Sequence, residues 1–293
     1  MSDRKTVIAL GYFDGVHKGH NAVLTIAKDR AERENSRAVV FTFGGNLRGT
    51  LSGGKCVFTA KERARLLKEK GFDEVFSAPV KEKFLSLSPE RFLDFLNKKF
   101  RVSGYVCGED YRFGKGGSGD VGFLKEYAEK RGQFVEVCPA VIIKGEKVSA
   151  TLIKKRLLVG DVKGANELLS TDYFITGKVK RDRKVGRKLG FPTVNIYVDA
   201  DKCELKNGVY VGYSVINGVK YTAIINYGSR PTFNLNEKLL EAHLIGFRGS
   251  LYGKKLRISF TRYLRDIFTF NNEEELKEQL RKDAENALRG ENV

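Results

Sequence analysis

Two histidines, His17 and His20, close the segment Gly11-Tyr12-Phe13-Asp14-Gly15-Val16-His17-Lys18-Gly19-His20, directly after the apolar run Thr6–Leu10. The run reads as a buried strand, a glycine-rich turn and a helix start. Three-residue spacing puts both rings on one face of the first helical turn. The turn's backbone N–H groups and the positive end of the helix dipole suit a phosphate. A histidine pair at that place can stabilise negative charge building on a phosphorus under attack. The bland alternative is a strand–turn–helix with incidental histidines.

Three other segments carry chemistry-bearing residues. Gly108-Glu109-Asp110-Tyr111-Arg112-Phe113-Gly114 follows an expected strand; its glycines allow close backbone approach to a ligand, and Asp110 can orient a donor. Ser149, Thr151 and Lys154 precede or open an apolar helical run. The hydroxyls are helix caps on one reading; on the other, all three residues grip nucleotide β- and γ-phosphates. Gly186-Arg187-Lys188-Leu189-Gly190-Phe191-Pro192-Thr193-Val194-Asn195 combines a glycine turn, a proline-stiffened bend and a strand. Thr193 and Asn195 alternate, so they share a strand face, and their neutral oxygens suit Mg²⁺ and phosphate. The basic stretch Lys178–Lys188 lies just upstream, where a phosphate-facing loop would be, and the chain has no Walker-type glycine-lysine loop. Glu241 opens Glu241-Ala242-His243-Leu244, with His243 on the same face and expected to be structural.

The elements that must position these residues change character along the chain. Up to about residue 165, strand patterns at Thr6–Leu10, Ala38–Phe43, Glu74–Phe76, Gly104–Cys107 and Gln133–Val137 alternate with helical ones at Gly19–Asn35, Thr59–Lys70, Ser88–Lys99, Gly122–Lys130 and Thr151–Gly160. That alternation predicts a mainly parallel sheet with helices on both faces and a site beyond the strands' carboxyl ends. Short strands then dominate: Tyr173–Lys180, Thr193–Tyr197, Gly208–Val215, Lys220–Tyr227, Glu241–Phe247 and Lys254–Leu264, with Asn217-Gly218 a two-residue hairpin signal. They predict a small antiparallel barrel or sandwich, closed by an amphipathic helix over Glu273–Leu288 with Leu276, Leu280 and Leu288 on its apolar side. The expected domains are 1–165 and 166–293, joined through Asp161–Thr171.

Composition narrows the function classes. With 293 residues, 41% hydrophobic and 30% charged, the chain reads as a globular protein of two ordinary domains. A polar start and the lack of a long apolar stretch argue against a signal peptide and a membrane span, so the expected location is the cytoplasm. Cys56, Cys107, Cys138 and Cys203 are scattered and read as free buried thiols rather than a zinc site. The net charge of +17 is spread along the chain, favouring polyphosphate substrates over nucleic acid. The dense run Lys61–Lys70 reads as a solvated helix face with Glu62 and Glu69 interspersed. Nothing in the pattern specifies an oligomeric state.

The first motif resembles the nucleotide-binding signature of bacterial FMN adenylyltransferases, the N-terminal halves of bifunctional riboflavin kinase/FAD synthetases. The segment 186–195 resembles the riboflavin kinase signature. The resemblance covers nearly the whole chain in the family's order, including Gly208-Val209-Tyr210, Asn226-Tyr227-Gly228-Ser229-Arg230-Pro231-Thr232-Phe233 and Leu251-Tyr252-Gly253. It implies a Rossmann-like nucleotidyltransferase domain followed by a riboflavin kinase barrel. Riboflavin and ATP would become FMN, then FMN and ATP would become FAD plus pyrophosphate, with Mg²⁺ and without nucleic acid or membrane partners. It also implies site roles: Gly11, Phe13, Asp14, Gly15, Ser149, Thr151, Lys154, Gly186, Arg187, Gly190 and Pro192 at nucleotide phosphates; Asp110, Phe113, Asn226, Arg230 and Arg265 at the flavin; Thr193 and Asn195 at the metal; Glu241, His17 and His20 in catalysis. The chain departs from the family at Ala150 and Lys154, at Gly246, Ser250 and Ile267, and in the Gly44–Leu47 loop, which is expected to be looser. Two alternatives follow: a monofunctional riboflavin kinase with an impaired first half, or a flavin- or nucleotide-binding regulator.

Overall fold

Runs of Val, Ile and Phe that are apolar on both faces suit strands covered by helices on each side. The computed structural model describes residues 4–181, 190–229 and 238–289. Five such runs, β1 (Thr6–Leu10), β2 (Arg37–Phe43), β3 (Glu74–Ala78), β4 (Val102–Gly108) and β5 (Phe134–Cys138), form one sheet in the order β3-β2-β1-β4-β5. Every pairing in it is parallel. The order reverses beside β1, so a crevice opens at the carboxyl end of that strand, where Gly11 follows. Between the strands run α1 (Lys18–Arg33), α2 (Leu47–Ser52), α3 (Ala60–Glu69), α4 (Glu82–Leu85), α5 (Pro89–Lys99) and α6 (Val121–Glu129). Their starts are written locally. Thr59 and Glu62 form a reciprocal capping box on α3, and Ser88 caps α5 with Pro89 at its first position. Ile8, Leu10, Val39, Phe41 and Tyr105 from the sheet pack with Phe92, Leu93 and Leu96 of α5 in the core.

The chain divides into two compact units, residues 1–150 and 151–293. A small hairpin of β6 (Ile142–Ile143) and β7 (Glu146–Lys147) ends the first; α7 (Ala150–Leu158) spans the division, and α8 (Val162–Leu168) falls in the second. Helix α8 occupies the expected junction. Asp161 caps it, and Asn166 ties it to the barrel through the Phe260 carbonyl and the Tyr173 N–H.

The second unit is a six-stranded antiparallel sheet of β8 (Phe174–Lys178), β9 (Thr193–Tyr197), β10 (Gly208–Ile216), β11 (Val219–Ser229), β12 (Lys238–Leu244) and β13 (Lys255–Arg265), in the order β8-β13-β10-β11-β12-β9. A bridge from Lys180 N–H to the Asn195 carbonyl at 2.9 Å joins the two ends, so the sheet curls into a nearly closed barrel. Tyr210, Ile225, Leu240, Ala242, Ile196 and Phe260 are fully buried inside. Asn217 and Gly218 both take positive φ, 50° and 82°, as the tight β10–β11 turn requires.

Helix α9 (Glu273–Arg289) lies on the outer face, its Ala287 packed with Val209, Val211 and Ile224. The expected apolar stripe needs one correction. Leu288 is exposed, whereas Asp283 and Ala287 are buried and continue the stripe from Leu276 and Leu280 at helical spacing. The four cysteines are free and buried, as read from their spacing.

Two further expectations are corrected. The Lys61–Lys70 face is not wholly solvated, because Arg63 and Glu62 are buried. Arg63, Leu66 and Leu67 stand at i, i+3 and i+4, which turns the arginine onto the core side of α3. The Gly44–Leu47 loop is not loose. Asn46 accepts from Gly49 N–H at 2.8 Å and donates to the Gly54 carbonyl at 3.0 Å, while Arg63 donates to the carbonyls of Phe43 and Gly45. An asparagine that caps α2 replaces the stiffness that proline would supply.

Candidate nucleotide and flavin sites

In the first unit the turn from β1 into α1 is strongly bent. Phe13, Gly15 and Val16 all take positive φ, at 56°, 83° and 41°. Side chains hold this shape from beneath: Asp14 Oδ1 accepts from Val57 N–H at 2.8 Å, and Thr42 Oγ1 donates to the Tyr12 carbonyl at 2.9 Å. Phe13 and Asp14 are therefore buried supports of the turn. A Cβ on Gly11 would meet the Phe13 ring at 2.7 Å, so a larger residue would have to displace that buried ring.

His17 and His20 stack face to face, ring centroids 3.5 Å apart and 16° from parallel. His17 is the N-cap of α1, its Nδ1 accepting from His20 N–H at 3.2 Å. A ring whose Nδ1 accepts carries its proton on Nε2, which leaves that N–H to donate elsewhere. Burial lowers the His17 pKa to about 4 despite the opposing pull of Asp14 and Asp110. His20 is lowered well below its usual value by burial, then by His17 and Arg63. Both rings are thus neutral at pH 7, and the pair acts through hydrogen bonds and not as standing charge. His20 Nδ1 is buried with no hydrogen-bond partner among the described residues.

Asp110 accepts from Lys147 Nζ at 3.1 Å, and its field reaches His17. Lys147 sits on β7, and the Val148 carbonyl next to it approaches the Cβ position of Gly19 at 3.8 Å. The chain thereby delivers Ser149 toward the start of α1. Thr151 and Lys154 lie three apart on α7, sharing a face, in the second unit. Phe113, expected at the flavin, lies in the aromatic core against Phe92 and Tyr111. Sequence reading missed Arg63, fully buried with its guanidinium 4.4 Å from the Tyr12 ring centroid. Its spacing with Leu66 and Leu67 was the available signal.

In the second unit, strand register assembles the site. Asn195 of β9 pairs with Glu241 of β12, Glu241 with Asn226 of β11, and Asn226 with Val209 of β10. Directly paired residues point to one side of a sheet, so these side chains share the outer face that carries α9. The adjacent row is Thr193–His243–Ile224–Val211. Asn226 Nδ2 lies 3.5 Å from Glu241 Oε2. Asn195 is 6% exposed, and its Oδ1 is buried without a partner among the described residues. His243 Nδ1 donates to the Pro192 carbonyl at 3.0 Å and meets Phe191 edge-on, holding the bend that presents Thr193. Gly190 takes φ 84° in the same bend. Arg265, expected at the flavin, pairs with Asp283 of α9 at 2.7 Å. Gly186, Arg187 and Arg230 lie outside the described residues.

Comparison with known proteins agrees with both halves. The FAD synthetase family model matches residues 1–152, and the riboflavin kinase model matches residues 169–290. The chain belongs to the bifunctional riboflavin kinase/FMN adenylyltransferase family. The Bacillus subtilis member is 32% identical over 97% of this chain and 92% of its own length. That of Escherichia coli K12 is 29% identical over 94% and 90%. A crystal structure from Streptococcus pneumoniae, described as a macrolide-efflux protein, superposes with a TM-score of 0.87 at 29% identity, covering 97% of this chain and 94% of that one. Among the described residues no helix is long and apolar enough to cross a membrane.

Proposed function

We propose that the two halves divide the family's activities: the barrel phosphorylates riboflavin with ATP to give FMN and ADP, and the parallel-sheet unit adenylylates FMN with ATP to give FAD and pyrophosphate. The observation that carries the first assignment is the Asn195–Glu241–Asn226 row, with one carboxylate among neutral amides on the outer sheet face. Phosphorylating a sugar hydroxyl requires a base near the attacking oxygen, and Glu241 is that base. Asn226, beside it, orients the carboxylate. The donor set fits Mg²⁺, because the buried Oδ1 of Asn195, unpartnered among the described residues, and the hydroxyl of Thr193 are hard, neutral oxygens. Mg²⁺ bound there would neutralise charge on the ATP phosphates; Thr193 and Asn195 would hold it.

In the other unit the neutral histidine pair donates to the phosphate oxygens as the FMN phosphate attacks the ATP α-phosphorus. Ser149, in the same unit, grips the departing pyrophosphate, a part that the family resemblance gives also to Thr151 and Lys154. Lysine at 154 supplies charge without the two-pronged geometry of arginine. These are in-line displacements in which positioning and charge stabilisation supply most of the rate. The substrates are small molecules, and the setting that suits the free thiols is the cytoplasm. Incubation with riboflavin, ATP and Mg²⁺, followed by chromatographic separation of the flavins, tests the reading. FMN appearing first and then FAD is the expected course. FMN alone would support the monofunctional kinase, and unchanged riboflavin would overturn the kinase assignment.

A further inference from the structure

Arg63 is 0% exposed, and no carboxylate pairs with it among the described residues. Its Nη2 donates to the carbonyls of Phe43 and Gly45, while Nε and Nη1 have no acceptor among the described residues. The guanidinium is stacked on Tyr12, the second residue of the bent turn before the histidines. A second tie runs parallel to it: Tyr12 OH lies 3.1 Å from Cys56 Sγ, which donates to Asn46 Oδ1 at 3.1 Å. Arg63 therefore joins the phosphate turn to the end of β2, the two chain segments that flank the crevice beside β1.

A clamp on two carbonyls needs no permanent charge, since a neutral amide makes the same bonds. Burying a cation without a counter-ion is costly, and its field is poorly screened by water. The missing anion has a natural source in a polyphosphate substrate. We propose that Arg63 is a positioning residue for adenylyl transfer, a buried guanidinium that sets the Tyr12 turn against the end of β2 and supplies the standing positive charge that draws in the ATP phosphates. This rests on reading the first unit as the adenylyltransferase. Arg63 and His17 both act on His20, while the carboxylates Asp14 and Asp110 act on His17. With the histidines neutral, Arg63 is the buried cation of this group.

The full-length protein is compared with Arg63→Lys, which keeps the charge and loses the fork, and Arg63→Met, which loses both. FAD formation from FMN is followed with ATP varied and riboflavin absent, so the kinase is idle. For Arg63→Met, kcat/KM for ATP falls about tenfold or more, mostly through KM, whereas Arg63→Lys stays within about threefold. Riboflavin phosphorylation is unchanged in both and reports folding of the rest. Histidine ring signals in NMR give the readout that a purely structural role would not move. The chain has three histidines, and removal of a nearby cation raises the pH at which His20 titrates in Arg63→Met but not in Arg63→Lys. Equal losses in both variants with unmoved titrations, or a Met variant like the parent, would overturn the proposal. If Arg63→Met does not fold, the lysine variant decides alone, and a tenfold loss there refutes the role of charge. A parent that makes no FAD refutes the activity of this unit, while the histidine titrations still judge Arg63.

Discussion

Replacing His17 by asparagine isolates the cost of keeping a histidine neutral beneath the bent β1–α1 turn. Asparagine Oδ1 can accept from His20 N–H as Nδ1 does, so the cap on α1 survives while the titration disappears. In the native protein His17 is 7% exposed and titrates near 4, against an ordinary 6.5 in an unfolded chain. A base whose folded pKa is depressed binds its proton more readily unfolded, so stability is complete above about 6.5 and is lost as pH falls toward 4. The gap between 6.5 and about 4 corresponds to about 3 kcal/mol, at about 1.4 kcal/mol per pH unit. His20 remains in both proteins, so its contribution largely cancels in the difference. Hydrogen exchange measured by mass spectrometry on peptides covering β1 and α1 reads this unit separately from the barrel. Between pH 7 and pH 4, corrected for intrinsic exchange rates, the parent should lose about 3 kcal/mol of protection more than His17→Asn. Parallel curves for the two proteins would show that His17 is not held neutral and would refute the electrostatic account of the turn.

Other outcomes follow from the barrel. Glu241→Gln should lower riboflavin phosphorylation by roughly 10²–10⁴-fold in steady-state assays while FAD formation from supplied FMN continues; near-normal kinase turnover would remove Glu241 from the role of base. Thr193→Ala combined with Asn195→Ala should abolish Mg²⁺-dependent phosphorylation with the first unit still making FAD from FMN, whereas retained ATP affinity and turnover would reduce both residues to shaping the strand. Asp283→Ala leaves the Arg265 guanidinium without its partner in a site where Asp283 is 1% exposed, a loss of roughly 3–5 kcal/mol. Proteolysis and hydrogen exchange should show α9 coming loose from the outer face, and unchanged protection there would count against the pair as its anchor.

Local pattern was enough for much of this protein. The apolar run Thr6–Leu10, the hydroxyl caps at Thr59 and Ser88 and the Asn217-Gly218 turn act over a few residues, so the chain states them directly. The three-residue spacing of His17 and His20 and the alternation of Thr193 and Asn195 likewise announce shared faces before any fold is known. Tertiary structure decided the rest, because long-range pairing and burial are not local properties. Only the β9–β12–β11 register sets Asn195, Glu241 and Asn226 side by side, and a slip of one residue would turn Glu241 inward. Only the docking of α9 converts Arg265 from a free charge into the partner of Asp283. Phe113, which the family resemblance puts at the flavin, packs against Phe92 in the aromatic core, a neighbour that its own segment does not announce. Arg63 sits in a charged run that resembles a solvated surface, and the neutrality of the histidines above it depends on burial supplied by segments far away in sequence. Residue types and spacings therefore specified which chemistry is present, while desolvation and strand register, both products of the assembled fold, decided which groups meet and in what charge state.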